Sequence, residues 1–234
     1  MSSLWRWLIA VPGLSILMLS AGCGGGSGDQ AQVRVLMAAL NQPNEDVVVD
    51  SKVVSSDLDY GANTGYLSVN SGERHLQVAP TNNSGTPIFD QTISFSSSTE
   101  TTVIVQGLSS VSGLVLTDNN TAPASGTAML RVVNVAPSMG PADVYVVPAG
   151  SSLTGLAPTF SSLAVGSASG YQSLTISTTS GTTTSFEVLF TEPGTSIAFL
   201  TTGAISLGSG QNRTVVALNS LSGGFSAAIL ADLN

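Results

Sequence analysis

The chain has 234 residues, a formal net charge of −8 and only 9% charged residues. An acidic surface repels phosphate groups, so this charge argues against a nucleic-acid partner. The length suits one large domain or two ordinary ones, and the single cysteine excludes an internal disulfide.

Residues 1–22 have the pattern of a bacterial export signal. Arg6 supplies positive charge, an apolar stretch covers residues 8–19, and the small residue Gly22 precedes Cys23. The apolar stretch has about a dozen residues, whereas a membrane-spanning helix needs roughly 20. Residues 19–23 resemble a bacterial lipobox, although Ser20 stands where an aliphatic residue is usual. A conventional signal peptide with an incidental cysteine is the alternative.

The lipobox resemblance implies that Cys23 is the lipid attachment site and the first residue of the mature chain. Residues 23–30 are rich in glycine and serine, which is the composition of a flexible tether. By the same resemblance, Gly24 after the cysteine implies an outer-membrane lipoprotein that faces either the periplasm or the cell surface. The expected partner at this end is therefore a membrane, held through acyl chains.

The second half of the chain repeats the first at five places, in the same order. The offsets between matched residues grow from 97 to 105, 112 and 114, which indicates duplication with insertions in loops. The jump from 97 to 105 predicts an eight-residue insertion in the loop at residues 148–158. The matched pairs are Arg34 and Arg131, Asp46 and Asp143, Tyr66 and Tyr171, Thr102 and Thr214, and Asp118 and Asp232.

Apolar residues alternate with polar ones throughout both repeats, which predicts half-buried β-strands. Residues two apart then share an inward face, as in Val33 with Val35 and Met37, Leu76 with Val78, Phe186 with Val188, and Ile197 with Phe199. Turn residues recur about every ten positions, as in an all-β protein. We predict two tandem antiparallel β-sandwiches, immunoglobulin-like or transthyretin-like, at residues 31–119 and 128–234. The short polar linker, residues 120–127, suggests that they touch.

Two motifs resemble a known family. Residues 131–137 with residues 142–145 match an Arg-Val-Val strand, a turn with proline and a Val-Asp-Val-Tyr-like strand, and residues 58–69 match a second motif. Both are similar to the domain-of-unknown-function 4397 family of bacterial secreted and envelope proteins, over nearly all of residues 31–234. The resemblance implies a fold and a compartment, but no activity.

Few residues point to catalysis. The only histidine, His75, is expected on the solvent face of a strand, and one cysteine with one histidine cannot make a zinc site. We therefore expect no enzyme and no cofactor. A hydrolase that uses a pair of Glu73, Glu100, Glu187 and Glu192 is a remote alternative. Whether Asp57 and Asp59, or Glu45, Asp46 and Asp50, bind calcium stays open at this stage.

The recurring polar residues have structural interpretations. Asp46 and Asp143 are expected to accept hydrogen bonds from backbone amides at the start of a strand. Tyr66 and Tyr171 are expected to place their rings in the core and their hydroxyls on the backbone. Asp118 and Asp232 are expected to terminate strands.

These observations favour a lipid-anchored envelope protein with a non-catalytic binding or structural role, whose partner is an envelope protein or a glycan. The alternative is a carbohydrate-binding or adhesin module. Such sites usually display exposed aromatic side chains, and the sequence after residue 22 has no tryptophan and few tyrosines.

Overall fold

A computed structural model describes residues 29–83, 85–176 and 183–234; the export segment and Cys23 lie outside these residues. The described residues form strands, turns and loops, and none of them lies in a helix that could span a membrane. The strands are β1 (Gln30–Ala39), β2 (Glu45–Val49), β3 (Lys52–Leu58), β4 (Leu67–Asn70), β5 (Gly72–Pro80), β6 (Phe89–Phe95), β7 (Glu100–Gly107), β8 (Val111–Thr117), β9 (Thr127–Asn134), β10 (Ala142–Pro148), β11 (Phe160–Leu163), β12 (Ser167–Ala168), β13 (Gln172–Thr175), β14 (Thr184–Thr191), β15 (Ala198–Thr201), β16 (Ile205–Leu207), β17 (Asn212–Asn219) and β18 (Phe225–Leu233).

The strands form four sheets, which pair into two sandwiches. Sheet A has the order β4-β1-β7-β8 and sheet B the order β3-β2-β5-β6; together they enclose the core of sandwich 1. Sheet C has the order β12-β9-β17-β18, with β13 also beside β9. Sheet D has the order β11-β10-β14-β15, with β16 beside β14, and closes sandwich 2. The prediction of an all-β fold with tandem sandwiches is confirmed.

Sheets B and D are antiparallel, as predicted, whereas sheets A and C each contain one parallel pair. Strand β1 pairs β7 in parallel, and its repeat β9 pairs β17 in parallel. A parallel pair needs a long crossover connection. Here the crossover is most of the repeat, which builds the facing sheet before the chain returns beside its first strand.

Strand β1 is buried on both faces, which explains its nearly continuous apolar sequence. Val33, Val35 and Met37 face the core of sandwich 1, as their alternation predicts. Leu36 and Ala38 face the other way, into a second apolar cluster that sheets A and C share. The two sandwiches therefore pack face to face, as expected from the short linker.

The predicted inward face of β15 is wrong. Ile197 is 82% exposed and Phe199 is 39% exposed, while Leu200 is buried in the core of sandwich 2. The physical reason is local. The register between β14 and β15 shifts by one residue beside Thr191, and Ile197 precedes the strand. A one-residue shift turns a strand's inward and outward residues around.

The second repeat carries its extra residues in the loop that the offsets predict. In sandwich 1, Asp50 and Ser51 alone connect β2 to β3, both with positive φ, as a two-residue hairpin turn requires. In sandwich 2, residues 149–159 connect β10 to β11. After the loop the repeats are in step again, because Asp57 and Ser162 occupy matched positions and both have positive φ.

The two sandwiches have the same orientation, with their equivalent ends next to each other. At one end, which we call the linker end, β1 begins and Asn212 Nδ2 donates to the carbonyl of Asn119 at 2.7 Å. At the opposite end, which we call the far end, the Tyr60 hydroxyl donates to the carbonyl of Asn219 at 2.7 Å. The turns after β1, β9, β14 and β17 all lie at the far end.

Candidate functional site

A reciprocal pair of ion pairs lies between the two sandwiches. Arg34 of sandwich 1 donates from Nη2 to Oδ1 of Asp232 in sandwich 2 at 2.6 Å. Arg131 of sandwich 2 donates from Nη2 to Oδ1 of Asp118, which follows β8 of sandwich 1. All four side chains are at least 95% buried. Two positive and two negative charges balance, as burial of ions demands.

Matched threonines and tyrosines complete the network. The Thr102 and Thr214 hydroxyls donate to Asp118 and Asp232, each at 2.5 Å. The Tyr66 hydroxyl donates to Oδ2 of Asp118 at 2.7 Å, and the Tyr171 hydroxyl to Oδ2 of Asp232 at 2.9 Å. The Arg34 and Arg131 guanidinium carbons lie 4.5 and 4.8 Å from the ring centres of Tyr66 and Tyr171.

Both tyrosines stay protonated, as donors must. Burial raises the pKa of Tyr66, and its hydrogen bond to the Asp118 carboxylate raises it further. Burial also raises the pKa of Tyr171, to about 12. Glu100 lies near the network: burial and then the charge of Asp118 raise the pKa of its carboxyl.

Two structural interpretations of the recurring residues need correction. The tyrosine hydroxyls donate to carboxylates instead of backbone carbonyls, although the Tyr171 oxygen also accepts from the amide of Asn119 at 3.2 Å. Asp118 does follow β8, but Asp232 lies inside β18, and both bind arginines. The arginines recur in both repeats, as their partners do, so the repeat was the one available signal for this network.

The prediction for Asp46 and Asp143 is confirmed. Oδ1 of Asp46 accepts from the amide of Asp57 at 3.0 Å, and Oδ1 of Asp143 accepts from the amide of Ser162 at 2.7 Å. Oδ2 of Asp143 also accepts from the amide of Gly194 at 2.8 Å. These carboxylates hold in place Asp57 in β3 and Ser162 in β11, two residues with left-handed backbone.

The structure separates the calcium candidates. The Asp57 carboxylate accepts from the Asn44 amide, and the Asp59 carboxylate from the amide of Tyr60. The Asp50 carboxylate accepts from the amide of His75 and pairs with Arg74; the amide, more than Arg74, lowers the pKa of Asp50. Across residues 29–83, 85–176 and 183–234, no three acidic, histidine or cysteine side chains form a cation-binding group.

Glu45 is an exception among the acidic residues, because it is fully buried without a hydrogen-bond partner. It lies at the start of β2 on the same face as Val47, and neither carboxylate oxygen has a partner among the described residues. Burial, and to a smaller degree the neighbouring Asp46, raises the pKa of Glu45 to about 7.

His75 lies on the outer face of sheet B, as predicted. Its side chain is 43% exposed, and Nε2 lies 2.5 Å from Oδ1 of Asp90. The four glutamates considered for hydrolysis lie on separate elements: Glu73 on β5, Glu100 on β7, Glu187 on β14 and Glu192 directly after β14.

An open cleft of about 490 Å³ lies at the far end of sandwich 2. We call it the far-end cleft. Its apolar lining is Met139, Pro141, Pro193, Phe199 and Phe225, and its polar lining is Ser138 and Glu192. The volume is typical of sites for small ligands or single side chains of a partner.

The matched positions in sandwich 1 are filled. When the two sandwiches are compared strand by strand, Phe89 occupies the position equivalent to Leu200, and Gly113 the position equivalent to Ala227. The Phe89 ring covers Gly113 so closely that an added Cβ would lie 2.5 Å from it. Ile88 and Val111, which match Phe199 and Phe225, pack against the core of sandwich 1. The two repeats have therefore diverged at their far ends.

Comparison with known proteins identifies a family for part of the chain. Residues 31–145 match the family described as a domain of unknown function, DUF4397. The match spans sandwich 1 and ends in β10, so it is shorter than the expected resemblance over residues 31–234. A search of the curated proteins found no match.

One similar solved structure is a candidate cell adhesion protein from Bacteroides eggerthii, with 12% identity and a TM-score of 0.19. The alignment covers 87% of this chain and 96% of that protein.

Proposed function

The chain belongs to the DUF4397 family over residues 31–145, and from this premise we propose that it is a lipid-anchored envelope protein with a non-catalytic role. In this proposal Cys23 carries the acyl chains, residues 23–30 form the tether, and residues 31–119 and 128–234 form one two-part body outside the membrane. The body binds an envelope partner or spaces it from the membrane.

The observation that carries this proposal is the reciprocal network between the sandwiches. Arg34 pairs with Asp232, and Arg131 pairs with Asp118, in surroundings that exclude water. Four buried charged groups thus hold the two repeats in a fixed relation. A rigid, two-part body on a flexible tether suits binding or spacing better than turnover of a substrate.

Direct labelling tests the anchor. Cells that express the chain are grown with radioactive palmitate, beside cells that express Cys23→Ser. We expect label on the native chain and none on the variant, and we expect only the native chain to sediment with membranes. Equal labelling of both chains would refute the anchor. A labelled protein in the inner-membrane fraction would refute the outer-membrane assignment alone.

A further inference from the structure

Two aromatic residues and one acidic residue line the far-end cleft. The rings of Phe199 and Phe225 have centroids 5.4 Å apart and planes tilted by 54°. Phe199 comes from sheet D and Phe225 from sheet C, so the pair lies where the two sheets of sandwich 2 meet. The faces of aromatic rings carry negative charge density, which attracts cations.

Glu192 is the only ionisable side chain in the cleft lining. It is exposed, and no described side chain donates a hydrogen bond to its carboxylate. Its backbone carbonyl accepts from the Thr195 amide at 3.0 Å and from the Thr195 hydroxyl at 2.9 Å, so the turn that carries it is fixed. A lining with one acidic residue, two aromatic residues and no basic residue is complementary to a cation.

The rest of the lining is hydrocarbon. Met139, Pro141 and Pro193 supply apolar surface beside the rings, and Ser138 is held by Asn219, whose Nδ2 donates to its hydroxyl at 2.8 Å. A ligand that satisfies this lining has an apolar stem and a compact positive end. Lysine has this form, with four methylenes and one ammonium group.

The position of the cleft fits a partner that lies away from the membrane. The tether joins the body at Gln30, where β1 begins, and the cleft opens at the opposite end. Strand β1 has 10 residues, which separates the two ends by roughly 30 Å.

We propose that the far-end cleft binds the side chain of an exposed lysine on a partner protein. The direction from which the partner approaches rests on the proposed anchor, while the chemistry of the cleft does not. The net charge of −8 adds long-range attraction for a basic partner.

Titration of the full chain carrying Cys23→Ser tests this chemistry without a membrane. The probes are the peptide acetyl-Gly-Lys-Gly-amide and its analogue with norleucine, which keeps the stem and lacks the charge. In nitrogen-15 NMR spectra we expect the lysine peptide to shift the amides of Ser138, Gly194 and Gly224. The norleucine peptide should bind at least about fivefold more weakly, which corresponds to about 1 kcal/mol.

Two variants locate the effect. Glu192→Gln should weaken binding of the lysine peptide about fivefold and leave binding of the norleucine peptide unchanged. Phe199→Ala should weaken both. Glu73→Gln makes the same charge change at an exposed position of β5 in sandwich 1 and should change neither.

Three outcomes would overturn the inference. Equal binding of the two peptides would show a plain apolar groove, and unchanged binding in Glu192→Gln would remove the carboxylate from the site. Binding of chitotriose at the same amides, with no response to the lysine peptide, would assign the cleft to a glycan. None of these results bears on palmitate labelling of Cys23, so failure here is distinguishable from failure of the anchor.

Discussion

At the scale of single residues, the buried charges of this protein fall into two kinds. Arg34, Arg131, Asp118 and Asp232 neutralise one another inside a complete set of hydrogen bonds. Glu45 is buried alone, with both oxygens unpartnered among the described residues. In the network the buried charges cancel one another. Burial of the unpaired Glu45 carboxyl instead favours its protonated, neutral form.

Replacement of Arg34 by methionine should destabilise the protein strongly. The Asp232 carboxylate would stay buried without its cation, and loss of one partner of a buried pair costs about 3–5 kcal/mol. Lys52→Met makes the same change of charge at an exposed position and should alter stability by no more than about 0.5 kcal/mol. Urea unfolding measures both free energies. Equal small effects in the two variants would contradict a buried ion pair.

The Glu45→Gln variant should change how stability depends on pH. The pKa of Glu45 is about 7 in the folded state and 4.5 in the reference state, so the folded protein holds the proton more tightly. Stability is then lost as pH rises from 4.5 to 7, by about 3 kcal/mol in all. Glu45→Gln lacks this titration.

The measurement is the free energy of unfolding at pH 5 and at pH 8. The native chain should lose stability between the two values relative to Glu45→Gln, and the variant should be the more stable of the two at pH 8. A pH dependence identical in both chains would show that the Glu45 carboxyl is solvated in the folded state.

At the scale of elements, the two repeats solve the same packing problem with different side chains. Strand β6 covers β8 in sandwich 1 with the large Phe89 over Gly113. The equivalent residues in sandwich 2 are Leu200, which is smaller than Phe89, and Ala227, which is larger than Gly113. Total volume is roughly conserved, which is how cores tolerate simultaneous changes.

Gly113→Ala should therefore destabilise sandwich 1. The new methyl group would meet the Phe89 ring at 2.5 Å, and overpacking of a core typically costs about 1–3 kcal/mol. Adding Phe89→Leu recreates the pair found in sandwich 2 and should recover part of this loss. Unfolding free energies of the two single variants and the double variant test the coupling. Strictly additive effects would mean that the two side chains do not compete for space.

At the scale of the whole molecule, the interface between the sandwiches combines an apolar cluster with the reciprocal network. The apolar cluster includes Leu36, Ile104, Val216 and Leu230, all of them buried. This arrangement makes each sandwich the cover for an otherwise exposed apolar sheet face of the other.

Cleavage of the linker should leave the two sandwiches associated. A protease site placed between Pro123 and Ser125 cuts after the contacts of Asn212, whose Nδ2 donates to the carbonyls of Asn119 and Thr121. The cut halves should co-elute in size-exclusion chromatography. In the background of Ile104→Asp, which buries a charge in the apolar cluster, they should separate. Separation of the native halves would show that the covalent linker holds the body together.

Alternation and duplication, both visible in the sequence, determined the strands, the two cores and the location of the inserted loop. Alternation compares residues two positions apart, and duplication compares matched positions of the two repeats. Both comparisons can be made within the sequence. Tertiary structure alone decided the mixed sheets, the outward side of β15 and the partners of Arg34 and Arg131. The reason is separation along the chain: Arg34 meets Asp232 across 198 residues, and no local pattern specifies which buried face meets which. The far-end cleft likewise forms only because three segments that are distant along the chain, around residues 138–141, 192–199 and 225, converge.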